Sequence, residues 1–283
     1  MDQAPASSML LSVVTFAYFA ACIAYLSLLV FKKQGFGRAG TWITLVTVFL
    51  HAAAIIWRWV ESAQMGIARP PFSNLYESLI FFALTIAVIY LVMERVSGSR
   101  AMGAYIMPLA FLAMAYAGLQ PKEIRPLLPA LKSNWLIAHV ITCFLGYAGF
   151  ALAAGLAVLY LTVGPSDKTR PKSSRIKGMM PSRASLDNLI YQNIVFGFLL
   201  LTVGIATGSI WAHSAWGSYW SWDPKETWSL ITWLVYAAVL HARLVRGWGG
   251  KRIAVLALVG FGCVLFTYLG VNILLHGLHS YAT

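Results

Sequence analysis

Residues 9–33, MLLSVVTFAYFAACIAYLSLLVFKK, decide the class of fold. From 9 to 31 there is no charged residue, and then the chain meets Lys32 and Lys33. About 20 apolar residues make a helix as long as the roughly 30 Å hydrocarbon core of a bilayer. The preceding MDQAPASS lacks the basic start of a secretion signal, so this stretch is expected to remain as a membrane anchor.

The same pattern recurs outward from that anchor. Candidate spans lie near 8–31, 41–60, 75–93, 101–119, 136–163, 190–212, 228–246 and 253–275. The chain is 59% hydrophobic and 11% charged, with a mean hydropathy of +0.72, far from a soluble composition. The expected fold is an all-α polytopic membrane protein of about eight transmembrane helices. One integral-membrane domain covers 1–283, without a soluble domain or an internal repeat.

The net charge of +12 is not a nucleic-acid signature, because the basic residues lie between spans. Of 21 Lys and Arg, 15 fall on alternate connections, at 32–38, 95–100, 168–183 and 243–252. Such an excess marks the cytoplasmic side. Both termini are therefore expected outside, with a basic cytoplasmic loop at 164–189 and a tryptophan-rich external loop at 213–227 between helices 6 and 7. The three cysteines, Cys22, Cys143 and Cys263, all fall inside spans. No external disulfide, Cys-x-x-Cys pair or zinc-spaced cluster is available from them.

Three spans that run inward from the outer face begin with helix-start signals. Asn74-Leu75-Tyr76-Glu77 has the form of a capping box, Ser133-Asn134 precede Trp135, and Asp223-Pro224-Lys225-Glu226 combines an Asp cap, Pro at the first helical position and Glu three residues on. Three helix N-termini at one surface favour an anionic group there.

The external loop carries the chemistry. Five of the 11 tryptophans fall between Trp211 and Trp228, within WAHSAWGSYWSWDPKETW. Isolated residues such as Trp57, Trp59 and Trp248 suit an interfacial belt. A cluster of flat aromatic faces interleaved with Gly and Ser suits a planar, apolar ligand with polar edges. Four of the six histidines, His139, His213, His276 and His279, lie at or near that face, while His51 and His241 lie within spans. Imidazoles from different helices could ligate the metal of a planar macrocycle, and heme b meets that description. The residue pattern alone leaves open which histidines do so.

The stretch Trp211–Trp233 resembles the tryptophan-rich "WWD" signature of heme-handling membrane proteins. With PPFSNLYESL at 70–79, LKSNWLIAHV at 131–140 and GVNILLHGLHSYA at 270–282, it is similar to the CcsA (ResC) family of System II cytochrome c assembly. The resemblance implies heme transport and, with a Ccs1/ResB-type membrane partner, cytochrome c heme lyase activity on the Cys-x-x-Cys-His motif of apocytochrome c. It implies His139 and His279 as axial ligands of external heme and His241 as an intramembrane ligand completed by the partner. Trp216, Tyr219, Trp220 and Trp222 are expected against the heme plane, with Asp223 orienting the loop. The outward cations Arg125, Lys132 and Lys225 are candidates for the heme propionates. The expected location is the plasma (inner) membrane, with the heme site on the periplasmic or other extracytoplasmic side. Rival readings are a CcmC-like heme-delivery protein, a heme exporter without ligation activity, and a b-type transmembrane electron carrier that uses His51 with His241.

Overall fold

The computed structural model describes residues 5–67, 69–126, 132–163 and 180–275. Among these there are helices and no strand: α1 Ala6–Phe31, α2 Gln34–Gln64, α3 Leu75–Ser97, α4 Gly103–Gly118, α5 Asn134–Thr162, α6 Arg183–Trp216, α7 Pro224–Arg246 and α8 Lys251–Leu265. A π-helical turn, Phe266–Gly270, continues α8 into the short α9, Val271–Leu274. Seven of the described segments are long and apolar enough to cross a membrane, with α8 to α9 counted as one, and the 16-residue α4 is an eighth, shorter apolar helix.

Several helices outrun the apolar stretches read from sequence. The α6 helix begins at Arg183, inside the connection read as a loop to 189, and runs to Trp216. The Trp-rich connection is therefore only 217–223 rather than 213–227. Gly217 at φ 80° ends α6, and its N–H donates to the His213 carbonyl. Glycine adopts that left-handed cap without a side-chain penalty.

The α5 helix sits at the centre and packs most extensively on α6. Small residues make that approach possible, as is common where lipid supplies no hydrophobic drive between helices. A Cβ on Gly146 would meet the Gly197 carbonyl at 3.0 Å, and one on Gly149 would meet the Asn193 carbonyl at 3.1 Å. The α1 and α2 helices form a second tight pair beside α3 and α4.

Polar clusters close the two ends of the bundle. At one end Glu94 accepts from the hydroxyls of Tyr25, Tyr90 and Thr41 and pairs with Arg100. Asp187 there pairs with Arg243 at 2.7 Å and caps Gly250. At the opposite end Glu77, 1% exposed, lies between two buried arginines, Arg58 at 3.1 Å and Arg69 at 2.7 Å. This corrects the reading of Glu77 as half of a capping box. Asn74 does accept from the Glu77 N–H, but the Glu77 carboxylate turns to Ser73 and the arginines. Arg58 and Arg69 are buried and hold the carbonyls of Lys122, Glu123 and Arg125.

Candidate functional site

The end carrying Glu77 opens into a cavity with about 1230 Å³ of empty space, its mouth included. Its walls come from the starts of α3, α5 and α7, the last turns of α6, and the π turn after α8. The expected caps set those starts. Ser133 accepts from the Trp135 N–H, and Asp223 and Glu226 form a full capping box with Pro224 in the first turn. The Glu226 carboxylate accepts from Ser221 and Asp223, which folds the connection back over the cavity.

His139 lines this cavity from the second turn of α5. Its Nδ1 lies 2.7 Å from the Gly204 carbonyl on α6. A carbonyl only accepts, so Nδ1 carries the proton and Nε2 carries the lone pair that can bind a metal. The ring lies nearly parallel to Trp211, 15° between planes with centroids 6.1 Å apart. Gly208 makes room for it, since a Cβ there would stand 2.5 Å from His139 Nδ1. One turn deeper, Cys143 Sγ approaches Nδ1 at 3.6 Å.

Aromatic residues line the mouth and hydroxyls the floor. Tyr219 and Trp220 face the cavity near the surface, and the buried Trp211 lines its wall. Below them lie Tyr147, Tyr268, Ser78 and Thr267, with Ser78 and Tyr268 bonded at 2.7 Å. The π turn delivers Thr267 and Tyr268, a placement typical of functional sites. Lys225 is the one lysine or arginine among the described lining residues.

The structure thus brings together part of the expected set. His139, Tyr219 and Trp220 line the cavity. Trp216 stands behind it, edge-on to Trp211 at 4.8 Å. Trp222 points away, 69% exposed at φ 59°, and meets Trp220 edge-on. Asp223 is buried as the α7 cap. Arg125 is exposed and paired with Glu123, and Lys132 is exposed. His213 stacks on Tyr219 outside the lining. His241 is exposed on α7, near the far end of the bundle. His276 and His279 lie outside the described residues. Tyr147 and Tyr268 are not singled out by the sequence, because helical aromatics in a membrane chain read as packing until their faces are located, and Trp211 enters there only as the first of the tryptophan cluster.

Residues 72–279, which span every wall of this cavity, match the family described as "Cytochrome C assembly protein". The chain belongs to the CcsA family of cytochrome c assembly proteins. It is 42% identical to "Cytochrome c biogenesis protein CcsA" of Synechococcus elongatus over 292 residues, covering 88% of each chain. The protein of that name from Porphyra purpurea is 38% identical, with 95% of this chain and 96% of that one covered. The Guillardia theta protein is 41% identical, with 92% and 91% covered. Among solved structures, "Cytochrome c Heme Lyase CcmF" superposes with a TM-score of 0.66 at 18% identity, over 98% of this chain and 53% of that one. The chain thus spans about half the length of CcmF, and the likeness establishes a shared fold. Membership of the CcsA family makes this a multi-pass membrane protein of cytochrome c assembly.

Proposed function

We propose that this protein carries heme to the extracytoplasmic face and presents it to apocytochrome c for covalent attachment, acting with a Ccs1/ResB-type membrane partner. The observation that carries the reading is His139: an imidazole with its donor nitrogen fixed, set against Trp211 at the wall of an aromatic-mouthed cavity. The names of its relatives, a cytochrome c biogenesis protein and, for the fold, a heme lyase, agree with that chemistry.

Heme b is the cargo, and it supplies the iron and the two vinyl groups to be joined to the acceptor's cysteines. The residues fit it. His139 offers one axial nitrogen, and His279 is proposed as the other. Trp211, Tyr219 and Trp220 offer flat faces, with Trp216 backing Trp211 and the exposed Trp222 available to the acceptor. Lys225 and three helix N-termini favour the carboxylates of the propionates. The protein's work is to hold the macrocycle with one edge outward and to keep the iron ligated until the acceptor's histidine takes over. His241, exposed on α7, is proposed as a ligand for incoming heme shared with the partner chain.

The test is the absorption spectrum of the complex purified with its partner. A bis-histidine b-type spectrum is expected, with the external component lost in His139→Ala and in His279→Ala. Heme content unchanged in both variants would remove the site. Covalent heme on apocytochrome c that survives acid–acetone extraction separates ligation from export alone.

A further inference from the structure

A second polar feature lies away from the cavity, along the buried face of α2. Thr44, His51 and Arg58 recur every seventh residue and are all 0% exposed, with Ser62 one turn beyond Arg58. Each leaves a buried atom without a hydrogen-bond partner among the described residues: Thr44 Oγ1, His51 Nε2, Arg58 Nη1 and Ser62 Oγ. Such orphans are costly when nothing satisfies them. Native interiors satisfy them with bound water.

The neighbouring helices extend the stripe. The α1 helix contributes Tyr18 and Tyr25, seven residues apart and fully buried. The Tyr18 hydroxyl meets His51 Nδ1 at 3.1 Å, and Tyr25 donates to Glu94 at 2.8 Å. Thr41, one turn before Thr44, donates to the same carboxylate, and half-buried Arg100 links it to the surface. At the other end Arg58 pairs with Glu77 on α3, and Ser7 of α1 donates to the Glu61 carboxylate. From Thr41 to Ser62 the helix rises about 30 Å, the thickness of the hydrocarbon core. Ionisable groups at such depth are costly, and relays of them mark proton and ion pathways.

We propose that the α1–α2–α3 interface is a hydrated proton path between the two faces of the membrane, with the His51–Tyr18 pair as its central relay. A carboxylate stands at each end, Glu77 and Glu94, and the orphaned atoms of Thr44, His51 and Arg58 between them hold water. In one transfer a water proton adds to Nε2 while Nδ1 gives its proton to the Tyr18 oxygen. The Tyr18 hydroxyl proton then leaves for the next water. One proton enters and one leaves, no electron moves, and the imidazole changes tautomer. Rotation of the ring, or transfer in reverse, restores it.

This inference is independent of heme at His139. It is tested with the full chain in proteoliposomes carrying an internal pH indicator, with potassium and valinomycin holding the potential at zero. Collapse of an imposed pH gradient is expected to be faster than in protein-free vesicles, slower in D2O, and several-fold slower in His51→Leu. Tyr18→Phe, which preserves shape and removes only the hydroxyl, is expected to slow it likewise and carries the test if His51→Leu misfolds. A wild-type rate equal to that of empty vesicles, or an unchanged rate in both variants, overturns the proposal.

Discussion

His139 and His51 are the same residue on two helices of one bundle, each held through Nδ1, and their surroundings give them different chemistry. His139 meets a backbone carbonyl and the wall of an open aromatic cavity, so its tautomer is fixed. His51 meets a phenol that can donate or accept, inside a closed polar seam, so its tautomer can exchange. A fixed tautomer suits a metal ligand, and an exchangeable one suits a proton carrier. The contrast places function in the partner of the imidazole, not in the imidazole.

The largest effect that would break the contrast is on heme content. His139→Ala is expected to abolish the external heme spectrum while His51→Leu leaves it at the wild-type level, both read on the partner-bound complex. Equal losses in the two would show that they share one site.

Next comes the buried triad that holds the cavity wall. Glu77→Ala leaves Arg58 and Arg69 buried without their anion and is expected to cost about 3–5 kcal/mol. A fall in the thermal midpoint in detergent checks it. Arg125→Ala, at the exposed pair with Glu123, is expected to cost about 1 kcal/mol or less and to leave the midpoint nearly unchanged.

Gly208→Ala sharpens the comparison without touching a ligand atom. The added Cβ occupies the His139 ring's place, so the heme spectrum is expected to weaken and to recover partly with added imidazole. Gly155→Ala, whose Cβ meets α4 far from His139, is the packing control and is expected to leave the spectrum unchanged. A smaller loss is expected from Lys225→Ala, about 1–2 kcal/mol or roughly tenfold in heme retention, from one charge-assisted bond. Asp223→Ala removes the α7 cap and is expected to cost about 1 kcal/mol of stability, read as a fall in the thermal midpoint.

The helix starts that frame the candidate site were legible where their determinants are local. The Asp-Pro-Lys-Glu start of α7 and the Ser133 cap of α5 appear as read, since capping depends on residues within one turn. Asn74-x-x-Glu77 obeyed the same local rule only in part. Two arginines from α2 and the following loop outcompeted the backbone for the carboxylate, and nothing local announces them. The aromatic set shows the same limit. Trp222 and Trp220 are two residues apart, yet only Trp220 lines the cavity, because the positive φ at Trp222 turns its ring outward.

The sequence by itself determined the class of fold, the approximate span count, the starts of α5 and α7 and the family, because apolar run length, caps and motifs are properties of contiguous residues. The tertiary structure alone decided that His139 lies on Trp211 and Gly204, that Glu77 is a buried hub, and that Thr44, His51 and Arg58 share a seam with Tyr18 and Tyr25. Those facts depend on the rotation of one helix against another. Close packing of small residues sets that rotation, and in lipid no polarity pattern reveals it in advance.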